Sequence, residues 1–221
     1  MCQLLGMNCN VPTDICFSFT GFQARGGGTD VHSDGWGIAF FEGRGTRVFL
    51  EPAPSCTSPL AELVRRYPIH SKNVVAHIRK ATQGAIGLEN THPFMRELWG
   101  RYWIFAHNGN LLDFAPDLDG SFIPVGLTDS ERAFCWLLQE LRRRFEAARE
   151  GKARGIDQVE AIGRAYLEFA RELPHYFDAC ARYQAHAGAD GTPQPNECAC
   201  VGAGHRVHEV GTQGFEHQLL L

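Results

Sequence analysis

The sequence lacks an excess of either charge: 21 Lys and Arg stand against 25 Asp and Glu, for a formal net charge of -4. The charges are unclustered, which argues against a nucleic-acid-binding face or a membrane-surface protein. No apolar run approaches the roughly 20 residues that a membrane-spanning helix needs. The opening Met1-Cys2-Gln3-Leu4-Leu5 lacks the basic start and apolar core of a secretory signal. A cytoplasmic protein is therefore expected. Eight cysteines would suggest disulfides in a secreted chain, but without an export signal reduced thiols are the expectation. What is present, 221 residues with 44% hydrophobic side chains, suits one domain with a sizeable core.

From Met1 to about Arg25 the chain is apolar but broken by Asn8, Asn10, Pro12 and Thr13, which favours short strands or irregular structure over a long helix. Gly26-Gly27-Gly28 reads as a flexible loop, since no Gly-Lys-Ser/Thr follows to make it a phosphate cradle. Three strand-like stretches come next: Gly35 to Phe41, Asn73 to Ile78 and Tyr102 to His107. Ser58-Pro59 opens a short helix through Arg66, with proline at the favoured first position. Thr128-Asp129-Ser130-Glu131 is a capping-box pattern opening a helix that runs to about Gly151, with Phe134, Leu137, Leu138, Leu141 and Phe145 on one face. A second amphipathic helix carries Val159, Ile162, Tyr166, Phe169 and Leu173 and stops at Pro174. Strands with two one-sided helices predict a mixed sandwich in which helices cover sheets. Gln184 to Cys200 holds no Val, Ile, Leu, Phe, Met, Trp or Tyr, so little apolar burial offsets its ordering entropy. Beyond about Ala181 the chain reads as a poorly ordered tail.

The chemistry-bearing candidates begin with Cys2. Alone, a cysteine near a terminus is more often a small buried hydrophobe. If Met1 is removed, however, Cys2 carries a free α-amine beside its thiol. Reference pKa values of about 8.5 and 7.7–8.0 let the amine take the thiol proton near neutral pH. Downstream, Arg79 follows a strand and can fork onto a carboxylate, although a lone arginine is more often a surface ion pair. Asn108 and the Gly109 N–H can supply two donors to an oxyanion, although Asn-Gly is also a favoured hairpin turn. Asp129 can accept from an ammonium, or can simply complement a helix dipole. His92 before Pro93 can be a plain turn residue. Their joint occurrence decides between the two readings.

Five motifs stand in order: Ser33-Asp34-Gly35-Trp36-Gly37, His77-Ile78-Arg79-Lys80-Ala81-Thr82-Gln83-Gly84, Asn90-Thr91-His92-Pro93, His107-Asn108-Gly109 and Thr128-Asp129-Ser130-Glu131. With a cysteine at position 2, the sequence resembles the class II glutamine amidotransferases, short stand-alone bacterial type, over about residues 1–180. The resemblance implies an α+β fold, a four-layer αββα sandwich of the N-terminal-nucleophile hydrolase type. It implies that Cys2 attacks the side-chain amide of glutamine and that Asn108 and Gly109 stabilise the oxyanion. Arg79 would hold the α-carboxylate and Asp129 the α-ammonium, with Thr82 and His92 shaping the pocket. A γ-glutamyl thioester forms, ammonia leaves and water resolves it. Glutamine is the implied substrate, with a synthase partner protein receiving the ammonia. No metal, cofactor, nucleic acid or membrane is called for.

Two departures are visible. Lys80 stands where many members have an aromatic, and the strands that should complete the sandwich are not recognisable in residues 181–221. Two other functions compete. One is a hydrolase of γ-glutamyl amides on a small metabolite, which would share the glutamate-binding residues. The other is an inactive zinc-binding relative using Cys198, Cys200, His205 and His208. That spacing is not a usual structural-zinc pattern, and incidental residues are the expectation.

Overall fold

The structure, a computed structural model, describes residues 2–111, 114–144, 178–183 and 198–201. Eight strands and three α-helices occur among them. In chain order these are β1 (Gln3–Thr13), α1 (Cys16–Arg25), β2 (Trp36–Glu42), β3 (Gly45–Glu51), α2 (Pro59–Arg66) and β4 (Ser71–Ile78). They are followed by β5 (Phe94–Leu98), β6 (Arg101–Asn108), α3 (Asp129–Arg144), β7 (Asp178–Tyr183) and β8 (Cys198–Val201). One sheet has the order β3-β2-β4-β1-β8 and the other β5-β6-β7. All pairings are antiparallel.

Period-two alternation assigns each strand a face. On β4, Val74, Ala76 and Ile78 pack with Ile38 and Phe40 of β2, Leu5 and Met7 of β1, and Phe19, Phe22, Ala61 and Val64 of α1 and α2. The alternate residues Ala39, Phe41 and Val75 face the other sheet, where they meet Ile104 and Ala106 of β6. The opposite face of β6 carries Phe105, whose ring stacks on Phe134 of α3 at 5.2 Å. The layers are therefore α1 and α2, five strands, three strands, and α3. This is the expected four-layer α+β sandwich.

The N-terminal 25 residues differ from the expectation of short strands or irregular structure. β1 is an eleven-residue strand and α1 a ten-residue helix. Tertiary packing overrides the weak local signal. Phe19 is fully buried, with its ring 5.8 Å from Trp36. Gln23 and Ser55 exchange bonds, Gln23 Nε2 donating to the Ser55 carbonyl at 3.1 Å and Ser55 Oγ to the Gln23 carbonyl at 2.7 Å. α2 starts as expected, with Ser58 Oγ accepting from Ala61 N–H at 2.9 Å.

At α3 only half of the capping box forms. Thr128 Oγ1 accepts from Glu131 N–H, but the buried Glu131 carboxylate is taken up by Arg96 and by the N–H groups of Val125 and Gly126 instead of the Thr128 N–H. Phe145 and the second amphipathic helix, with Val159, Ile162, Tyr166, Phe169 and Leu173, lie outside the described residues.

β7 straddles the expected boundary near residue 180, and β8 forms inside the stretch read as tail. β7 pairs with β6, and β8 with β1. An edge strand can be held by backbone bonds alone, which apolar periodicity does not register. Cys9, opposite Cys198 in the β1–β8 register, is disulfide-bonded, against the expectation of reduced thiols throughout. Cys2, Cys16, Cys56 and Cys135 are free. Among the described residues, no helix is long and apolar enough to cross a membrane.

Candidate active site

β4 runs between β1 and β2. Gln3 and Trp36 both face Ile78, so the chain leaving β4 at Arg79 passes between the starts of the two neighbouring strands. Cys2 precedes β1 and lies against that exit. The Lys80 N–H donates to Cys2 Sγ at 3.2 Å, and Sγ is 3.5 Å from the Lys80 carbonyl oxygen. Burial pushes the half-buried thiol above its ordinary pKa, while the Lys80 N–H and the Arg79 charge pull it down. Met1 lies outside the described residues.

On the other side of the exit stands the Asp34-Gly35 segment. Gly35 has φ 125°, and a Cβ there would sit 3.0 Å from Thr91 Oγ1, so the position favours glycine on both counts. Gly37 lets the His92-Pro93 segment approach, since a Cβ would lie 2.3 Å from the His92 carbonyl oxygen.

Arg79 is buried, 3% exposed. Its Nη1 donates to the Ala85 carbonyl at 2.9 Å, and Nη2 to those of Gln83 and Gly84 at 2.7 and 3.1 Å. The guanidinium thus holds the loop that follows it, a use that a reading for ligand binding alone did not anticipate. Lys80 is exposed. Thr82 Oγ1 donates to Asn110 Oδ1 at 2.6 Å, joining this loop to the turn after β6.

That turn carries Asn108 and Gly109. Asn108 is 8% exposed, and its Oδ1 is buried without a hydrogen-bond partner. A buried acceptor left without a donor is an exception among folded proteins, and it marks this carboxamide as one not fully used by the fold. Three residues on from Asn108, the Leu111 N–H donates to Asp129 Oδ2 at 2.7 Å. The other oxygen, Oδ1, accepts from Ser130 N–H at 2.7 Å and Ser130 Oγ at 3.2 Å. Ser130 Oγ is also 2.9 Å from His107 Nδ1. A continuous series of contacts therefore runs from Cys2 through the 79–85 loop to Thr82, Asn110, Leu111 and Asp129. Asn110, Ser130 and Asp34 were not picked out from the sequence, although each sits inside or next to a motif.

His92 is not part of that series. Its Nδ1 lies 3.3 Å from the His77 ring nitrogens, its ring meets Phe94 edge-on at 4.5 Å, and it is 5% exposed. It is buried against His77 and Phe94. Burial is the main cause holding His77 down to about 3, and it pushes His92 well below its ordinary value. Among the described residues, no group of three or more His, Cys, Asp or Glu could hold a metal. His205 and His208 lie outside them.

These neutral histidines set a pH dependence of stability. The unfolded chain takes up protons near pH 6.5, whereas folded His77 does so only near 3. The unfolded state therefore binds more protons between those values. The stability is full above about pH 6.5 and is lost as pH falls towards 3, at about 1.36 kcal/mol per unit of pKa shift. Urea unfolding from pH 7 to 4 should show this fall, and His92→Phe should flatten it. An unchanged slope in His92→Phe would contradict the account.

A family model described as "Glutamine amidotransferases class-II" matches residues 1–170. A protein of Escherichia coli (strain K12) named "Putative glutamine amidotransferase YafJ" is 63% identical over 145 residues, 66% of this chain and 57% of that protein. A "Putative glutamine amidotransferase" of Haemophilus influenzae is 60% identical over 146 residues, 66% of this chain and 49% of that protein. The chain spans about half the length of these relatives. The crystal structure of a "predicted glutamine amidotransferase from Pseudomonas aeruginosa" is 44% identical with a TM-score of 0.57, covering 81% of this chain and 68% of that one. With the family model covering residues 1–170 of its 221, the chain belongs to the class II glutamine amidotransferases.

Proposed function

We propose that the chain is a glutamine hydrolase working through Cys2 once Met1 is removed, and that it delivers ammonia to a synthase partner in the cytoplasm. The observation that carries this reading is Cys2 Sγ receiving the Lys80 N–H beside Arg79, at the end of the contacts leading to Asn110 and Asp129. The Cys2 α-amine takes the thiol proton, and the thiolate adds to the side-chain carbonyl carbon of glutamine. Asn108 Nδ2 and the Gly109 N–H receive the oxyanion. The C–N bond breaks, ammonia leaves with the proton returned by the amine, and a γ-glutamyl thioester remains. Water, deprotonated by the same amine, then splits the thioester to glutamate and the free thiol.

At the glutamate end, Asp129 receives the α-ammonium. Arg79 faces the α-carboxylate while it holds the Gln83–Ala85 carbonyls. Thr82 fixes that loop against Asn110, and His92 supports β4 through its contact with His77.

A glutamine analogue with an electrophile at the side-chain carbon is expected to label Cys2 and no other cysteine. Cys2→Ala should abolish ammonia release without unfolding the protein. Labelling elsewhere, or full activity in Cys2→Ala, would refute the nucleophile assignment. Loss of one oxyanion donor typically costs about 100–1,000-fold in turnover, so Asn108→Ala should lower kcat far more than it raises KM. Arg79→Lys should do the reverse, because lysine cannot fork onto a carboxylate. Steady-state kinetics of both variants decide, and equal effects on both parameters in both would contradict the roles.

A further inference from the structure

The Lys80 N–H that meets Cys2 Sγ belongs to a turn with no regular structure of its own, so something must aim it. Asp34 is placed to do so. Its carboxylate Oδ2 accepts from the Ala81 N–H at 2.8 Å, one residue beyond Lys80. Its own N–H donates to the Arg79 carbonyl at 3.1 Å, and the Arg79 N–H donates to the Gly35 carbonyl at 2.7 Å. Ser33 Oγ lies 3.4 Å from Asp34 Oδ1. Residues 79 and 81 are thus both tied to the Asp34-Gly35 side, and Lys80 between them presents its N–H the other way, to the thiol at 3.2 Å.

We propose that Asp34 is a positioning residue for the nucleophile: its side chain anchors the Ala81 N–H so that the Lys80 N–H is held on Cys2 Sγ. The proposal rests on Cys2 being the nucleophile. The role is geometric, because the Asp34 charge by itself works against a thiolate. The charged groups that act on the thiol are Arg79 at the exit of β4, Asp34 ahead of β2 and the amino terminus, and of these only Asp34 raises the thiol pKa. Charge and geometry therefore push in opposite directions and can be separated. Asparagine keeps an acceptor oxygen for Ala81 and removes the charge, whereas alanine removes both.

The test is the pH profile of Cys2 alkylation by iodoacetamide, followed by mass spectrometry of the Cys2 peptide in the Met1-processed protein. Glutamine kinetics are measured alongside. Asp34→Asn should alkylate with a midpoint at or below that of the unmodified protein and keep kcat near its level. Asp34→Ala should have its midpoint displaced to higher pH than Asp34→Asn. It should also lose about tenfold or more in kcat with KM little changed, as small misplacements of reacting groups do.

Coincident profiles for the two variants, or a raised midpoint in Asp34→Asn, would overturn the proposal. If Asp34→Ala does not fold, Asp34→Val, which likewise offers no acceptor to the Ala81 N–H, takes its place against Asp34→Asn with the same expected and contradicting results. Alkylation needs no glutamine, so an inactive protein whose profiles still separate would refute the glutamine reading and leave the Asp34 role standing.

Discussion

The structure depends on the antiparallel pairing of β4 with β1 on one side and β2 on the other. That pairing buries Val74, Ala76 and Ile78 under the helices and Val75 against the second sheet. It also puts three separate segments side by side at one end: the residue before β1, the turn after β4 and the residues before β2. A one-residue slip of β4 would exchange its two faces and carry the Lys80 N–H away from the Cys2 thiol. Fold and site therefore share one determinant, the register of a single buried strand.

The second sheet supplies the rest of the site through β6, whose end presents Asn108 and whose following turn is held by Asp129. The space between these parts is built from polar side chains that have partners inside the protein. Thr82 meets Asn110, Ser130 meets both His107 and Asp129, and His77 meets His92. The buried members, Ser130 with His107 and His77 with His92, are fixed by these contacts, because an unpaired buried polar group costs about 1–3 kcal/mol. The same burial keeps the histidines neutral, which ties the rigidity of the site to pH.

Much of this was legible in the sequence because the functional residues cluster in short motifs at element ends. The strands around Ile38, Val75 and Phe105 follow from short apolar runs bounded by Gly, Asn, Ser or Arg, and the helix opening at Ser58-Pro59 from capping chemistry. What was not legible depends on distant partners. α1 has little apolar periodicity of its own and is held by Phe19 on Trp36 and by the Gln23–Ser55 exchange. β8 is only four residues, Cys198–Val201, too short for a periodic signal, and pairs with β1. The Arg79 fork is legible as a carboxylate binder, but its grip on the Gln83–Ala85 carbonyls appears only once the loop is folded over it. Asp34 carries no local signal of its role, since its partner Ala81 lies 47 residues away.

The central claim is that Cys2, freed at the amino terminus, turns glutamine into glutamate and ammonia. The most direct measurement combines the intact mass of the purified full chain with ammonia and glutamate release from free glutamine by the same sample. The account predicts a chain lacking Met1 that releases the two products in equal amounts. A folded chain that lacks Met1 and releases no ammonia, or one that is active with Met1 retained, would contradict it.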